Sequence, residues 1–190
     1  MTDEMREQVR QSIRHFRLPA YDEITDVGLY LDQTCRYINE YLFPLGEEAA
    51  ITSSMISNYV KHHLVSSPVH KQYSRNQIAM LMFISMTKSI LSMEQIGKLK
   101  EVGLQLFEKR EAYEYFRTTL NEGLLYVFGH TSEPPVLHDP DPCGEKMIVL
   151  STIIAIAHKI YLNMCFAAID SSNQDPAVFE QSRSRHRKKG

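Results

Sequence analysis

Between Glu48 and Glu94 the chain has no acidic residue, and within that stretch three helix starts follow one another closely. Only a tight turn and a short extended segment can join them. Thr52 stands where an N-cap belongs, just ahead of Met55, Ile56 and Tyr59. Ser74-Arg75-Asn76-Gln77 and Ser92-Met93-Glu94-Gln95 are two S-x-x-Q capping boxes, and an apolar helix from Ile78 to Ile90 follows the first. The segment from Leu64 to Tyr73, LVSSPVHKQY, contains Pro68 and is long enough for a hairpin-like wing but not for a domain. Upstream, Leu29, Leu31, Tyr37, Ile38, Tyr41 and Leu42 set an apolar stripe on a helix over residues 29–43, with Asp26 as its candidate cap and Pro44 and Gly46 ending it.

The helix that Thr52 opens is expected to run to about His63. Met55, Ile56, Tyr59, Val60 and Leu64 then face inward, which leaves Ser53, Ser54, Ser57, Asn58 and Lys61 outside. Small hydroxyls, an amide and one ammonium are what a major-groove helix presents: donors for base edges and phosphates, and nothing bulky. An ordinary solvated helix face has the same composition.

Charge separates the two readings. The chain holds 21 Lys and Arg against 23 Asp and Glu, yet Lys61, Lys71, Arg75 and Lys88 sit in the acid-free stretch with His62, His63 and His70. Five more basic residues lie between Arg183 and Lys189. Two segments therefore carry +4 and +5 while the remainder stands at −11. Such a remainder repels nucleic acid and restricts contact to those two places.

These residues resemble the MerR-type transcription regulators. The matching order is Ile51-Thr52 through Ile56, Asn58-Tyr59, Lys61 and Leu64, then Tyr73-Ser74, Ile78, Leu81, Phe83-Ile84 and Ser92-Met93-Glu94-Gln95-Ile96. LYLDQTCRYINEYL and SNYVKHHLV look closer still to an uncharacterised domain family of low-GC Gram-positive bacteria, itself usually described as MerR-like. The MerR resemblance covers about a quarter of the chain, and the closer one runs from about Leu18 to beyond Ile96. Where MerR proteins usually carry recognition arginines this chain has Ser54 and Ser57, the glycine before the wing is His63, and the wing is short with no arginine pair.

The resemblance implies a mainly α fold, a MerR-like winged helix-turn-helix followed by a C-terminal helical region. It divides the chain into a polar N-terminal helix and acidic loop (1–28), the winged helix-turn-helix (29–100), a helical dimerisation or effector region (101–170) and a disordered basic tail (171–190). It implies a homodimer reading a two-fold related site on double-stranded DNA. Ser53, Ser54, Ser57 and Asn58 are then the base-edge candidates, and Tyr59, Lys61, Lys71 and Arg75 the phosphate candidates. The alternative is a helical protein-interaction or ligand-sensing module that keeps this shape without reading DNA.

In the C-terminal half, a helical pattern spans residues 97–128, with Glu108-Lys109-Arg110-Glu111 as a solvated face and Gly123 at a candidate helix crossing. Met147 to Ile169 is apolar around most of its circumference, which suits a core or a dimer seam. Its longest apolar run ends at His158-Lys159, too short to span a bilayer, so no membrane contact is expected. His130, His138, Asp141 and Cys143 are weak metal candidates without a recurrent ligand spacing. No cofactor is expected, and an unknown small-molecule effector is left open. Three cysteines without a C-x-x-C pair, and an N-terminus without a signal-peptide core, point to the cytoplasm. No catalytic motif is present, so an enzyme is not expected.

Overall fold

The computed structural model describes residues 1–135 and 144–174. It is mainly α, with helices α1 (Asp3–Ser12), α2 (Leu31–Leu42), α3 (Ser53–Lys61), α4 (Arg75–Thr87), α5 (Met93–Leu106), α6 (Lys109–Val127) and α7 (Gly144–Gln174). Strands β1 (Leu29–Tyr30) and β2 (Gln72–Tyr73) pair antiparallel, Leu29 opposite Tyr73 and Tyr30 opposite Gln72. Gly28 allows that pairing, because a Cβ there would lie 2.9 Å from the Cβ of Gln72.

Helix α4 is the centre of the molecule. Ile78, Leu81, Met82 and Ile84 are fully enclosed, and so are Ser85 and Thr87. Those two hydroxyls donate back to the Leu81 and Phe83 carbonyls at 2.8 and 2.9 Å, so the buried polar groups are satisfied within the helix. One hydrophobic cluster extends from Val9 in α1 to Cys165 in α7 and includes residues of every helix. The division at residues 28, 100 and 170 therefore does not separate independent cores.

Three expectations need correction. Asp26 does not cap α2; β1 intervenes, the side chain of Gln33 accepts from the Tyr30 N–H at 2.9 Å, and the Asp26 carboxylate lies 4.0 Å from Arg75. The pattern over 97–128 is two helices, broken where Phe107 and Glu108 are extended. The Glu108 N–H donates to the Glu111 carboxylate at 3.3 Å, so that charged run opens α6 as well as facing solvent. The N-terminal segment is anchored rather than merely polar, because Val9 of α1 and Ile13 and Phe16 just beyond it are buried and α1 packs on α7.

Helix α7 folds back on α1, α4, α5 and α6, burying Val149, Ile153, Ile156, Ala157 and Ile160. Gly123 of α6 does mark the crossing, and a Cβ there would stand 3.5 Å from the Cβ of Ala157. The opposite face leaves Ile148, Leu162 and Phe166 exposed. The helix runs past the boundary expected at residue 170. By length and composition alone, Gly144–Ser172 is long and apolar enough to cross a membrane, which the reading of its shorter apolar run did not anticipate.

Candidate nucleic-acid interface

The turn between α2 and α3 is held by a side-chain clamp. The amide of Asn39 donates to the Ile51 carbonyl and accepts from the Ile51 N–H, both at 2.8 Å. The Cys35 thiol adds a contact to the same carbonyl, and the Lys88 ammonium donates to the carbonyl of Ala50. Burial pushes the Lys88 pKa down, partly offset by the carboxylate of Glu48. Lys88 therefore belongs to the scaffold, although its charge was counted in the basic stretch.

From that turn Thr52 caps α3, its hydroxyl accepting from the Met55 N–H at 3.2 Å. Ile56 and Tyr59 are buried, while Ser54, Ser57, Asn58 and Lys61 are exposed. Their hydrogen bonds rank the candidates. Ser53 is half-buried and donates to Asp32 of α2 at 3.0 Å, and Ser57 donates back to the Ser53 carbonyl at 2.9 Å. Asn58 has a 3.6 Å contact from its amide nitrogen to the Met93 sulfur, a weak acceptor that leaves the amide's other positions free. Ser54 and Asn58 are thus the most available of the four.

Two phosphate candidates, Tyr59 and Arg75, have side chains that the fold already engages. Tyr59 is in the core, and burial raises its phenol pKa; the apolar spacing that places Ile56 inward places Tyr59 inward too. Arg75 is already engaged. Its Nε donates to the Ile24 carbonyl at 2.8 Å, its guanidinium pairs with Asp22 at 3.7 Å, and it lies 5.6 Å from the centre of the Tyr21 ring. Arg110 binds the same Asp22 and also approaches Tyr21, so the pairs fasten the 19–26 segment to α4 and α6. Lys61 and Lys71 remain exposed.

The C-terminal end of α3 and the turn at His70 and Lys71 share one backbone feature. His63 has φ +59, with its N–H on the Val60 carbonyl at 3.1 Å and the Leu64 N–H on the Tyr59 carbonyl at 3.0 Å. This is a Schellman ending, which favours glycine at the position His63 occupies. At the wing tip His70 and Lys71 have φ +50 and +65 between the bridged residues Val69 and Gln72. That is the shape of a type I′ hairpin turn, normally made by Asn-Gly. Because the His63 side chain is exposed, His63→Gly relieves backbone strain without losing packing. It is expected to raise stability by about 1 kcal/mol, read as an increase of roughly 2–4 °C in melting temperature. An unchanged or lower melting temperature would show that His63 carries no strain there.

Of the weak metal candidates, only His130 lies among the described residues. His130 places Nε2 2.7 Å from the Arg10 carbonyl, and His138, Asp141 and Cys143 lie outside the described residues. Among the described residues no group of three or more His, Cys, Asp or Glu is placed to hold a metal ion. Sequence reasoning missed Asp32, Asn39 and Lys100. Lys100 of α5 donates to the carbonyls of His63 and Leu64 at 3.2 and 3.3 Å, holding the end of α3. Each of the three acts through a partner distant in sequence, so no local pattern announces it.

No curated protein and no solved structure matches the chain. Residues 19–118, just over half of its length, match a family model described as Domain of unknown function (DUF1836), and the chain belongs to that family.

Proposed function

We propose that the chain is a DNA-binding transcription regulator that enters the major groove with α3 and uses the wing as a second contact. The observation that carries this reading is the outer surface of α3: exposed Ser54, Ser57, Asn58 and Lys61, with no acid on the helix, beside a wing tip that puts Lys71 in a left-handed turn. A strained position is retained where the side chain presented there has a use. The succession of α2, α3, a short extended segment, α4 and α5 supports this reading. Pairing into a homodimer is supported by the exposed apolar stripe of Ile148, Leu162 and Phe166 on α7, since two half-sites multiply a weak single contact.

The test is a fluorescence-polarisation titration with random duplex and with the DNA upstream of the coding sequence, at several salt concentrations. Binding that falls steeply with salt, and is tighter on the upstream DNA, is the expected result. Asn58→Ala is expected to cost about 1–3 kcal/mol on the preferred sequence and little on random duplex. Equal losses on both would remove Asn58 as a base reader.

A second reading, a ligand-sensing or protein-interaction module, is favoured by one observation. Of the four basic residues in the acid-free stretch, Arg75 and Lys88 are turned to structural partners. This reading expects no binding to either duplex at low salt.

A further inference from the structure

A cavity of about 320 Å³ opens between α4, α5 and α6. Phe83 and Phe116 meet edge to face in its wall at 5.0 Å, and Phe107 stacks on Tyr115 at 5.0 Å. Leu64 and Val65, the residues that lead from α3 into the wing, complete the apolar lining. Val149 apart, every wall residue among those described comes from the segment that the family model covers, so the cavity belongs to that domain.

Its polar groups narrow what it can hold. Among the described residues no Asp or Glu lines the cavity, although the chain has 23 of them, whereas Lys100 and Lys109 do. The amide of Gln77 is spent on the Ser66 carbonyl and the Ser74 N–H, the Asn76 oxygen on the Tyr21 hydroxyl, and the Tyr113 hydroxyl on the Pro19 carbonyl. Lys100 uses two of its three ammonium hydrogens on the His63 and Leu64 carbonyls. The charged groups with donors to spare are therefore cations, at the edge of an otherwise apolar space. The volume is at the lower end of the roughly 300–1,000 Å³ typical of small-molecule sites, which excludes a folded partner.

We propose that this cavity binds a small apolar carboxylate, an aliphatic or aryl acid, with its hydrocarbon body between Phe83, Phe116 and Leu99 and its carboxylate on Lys100 and Lys109. Occupation is coupled to α3. A carboxylate on Lys100 competes with the two carbonyls that end α3, and the ligand body presses on Leu64 and Val65. The free and bound states thus differ at the anchor of the recognition helix, which is the differential interaction that a switch requires. The acid is the effector, and its binding weakens the hold on DNA. The coupling rests on the DNA-binding reading; the binding site does not.

Calorimetric titration of the full chain with decanoate, below its micellar range, and with decanol as the neutral counterpart tests the site. Decanoate is expected to saturate one site and decanol to bind at least tenfold more weakly. Lys100→Met should lose that preference while leaving decanol unchanged. Gly103 lines the cavity, and a Cβ on it would meet nothing within 4 Å. Gly103→Leu is therefore expected to fill the space and weaken both ligands at least tenfold. If Lys100→Met does not fold, Lys109→Met and Gly103→Leu carry the test. Equal affinity for acid and alcohol, no saturable binding, or full affinity in Gly103→Leu would overturn the site. Polarisation titrations with and without decanoate test the coupling, with weaker DNA binding expected in its presence. Binding to both without mutual effect would overturn the coupling. Decanoate binding without DNA binding would keep the site and remove the regulator reading, and the converse would remove the site alone.

Discussion

Asn39→Ala is expected to lower the stability of the folded chain by about 3 kcal/mol. Ile51 is 1% exposed, and the Asn39 amide satisfies both its N–H and its C=O. Alanine would leave the N–H with no partner and the carbonyl with only the thiol of Cys35, a weak donor. Each buried backbone group left unpaired costs about 1–3 kcal/mol, so the two together outweigh an ordinary hydrogen-bond deletion. For a chain of this length that is a fall of roughly 6–12 °C in melting temperature. Because Ile51 immediately precedes the cap of α3, that helix should loosen before the core, with faster amide exchange over residues 51–61 than in α4. A variant melting within a degree of the parent would show that the clamp is ornamental to the fold.

That clamp also marks the limit of what the sequence discloses. Helix starts were legible because their signals are local. Thr52 and Ser92 each sit three residues from the N–H they accept, and the apolar stripes of α2 and α3 repeat within one element. Errors arose where the deciding partner is distant. Asp26 looked like a cap because the strand at Leu29 is defined only by Tyr73 across the sheet. Arg75 and Lys88 looked like surface cations because their partners, the Ile24 and Ala50 carbonyls, are 51 and 38 residues away. The break at Phe107 had a local signal, Glu108-x-x-Glu111, which read equally well as a solvated face.

The proposed interface follows the same pattern. Of eight named candidates, the hydrogen bonds and burial leave Ser54, Asn58, Lys61 and Lys71 most available. The missing residues are the ones whose side chains the fold itself uses. A thinly charged interface of this kind places more weight on each remaining cation and on pairing of two copies. It also makes the end of α3, which Lys100 holds from the cavity side, the place where a ligand can act with least displacement.

The double variant Lys61→Ala/Lys71→Gly should therefore separate binding from stability with opposite signs. Lys71 is at φ +65, so glycine removes backbone strain worth about 1 kcal/mol, while the Lys61 side chain is exposed and its loss leaves the core untouched. Binding should move the other way. Each phosphate contact contributes about 0.9 to the slope of log K against log salt. A dimer presenting both lysines twice loses four contacts, a slope change of about 3.6, and at 0.1 M salt an affinity roughly 4,000-fold weaker. A monomer loses two contacts, with a slope change of about 1.8 and an affinity roughly 60-fold weaker. The slope thus reports both whether these lysines touch phosphate and how many copies of the chain hold the DNA. A variant that melts higher but keeps the parent slope would remove Lys61 and Lys71 from the interface, and with them the electrostatic basis of the DNA-binding reading.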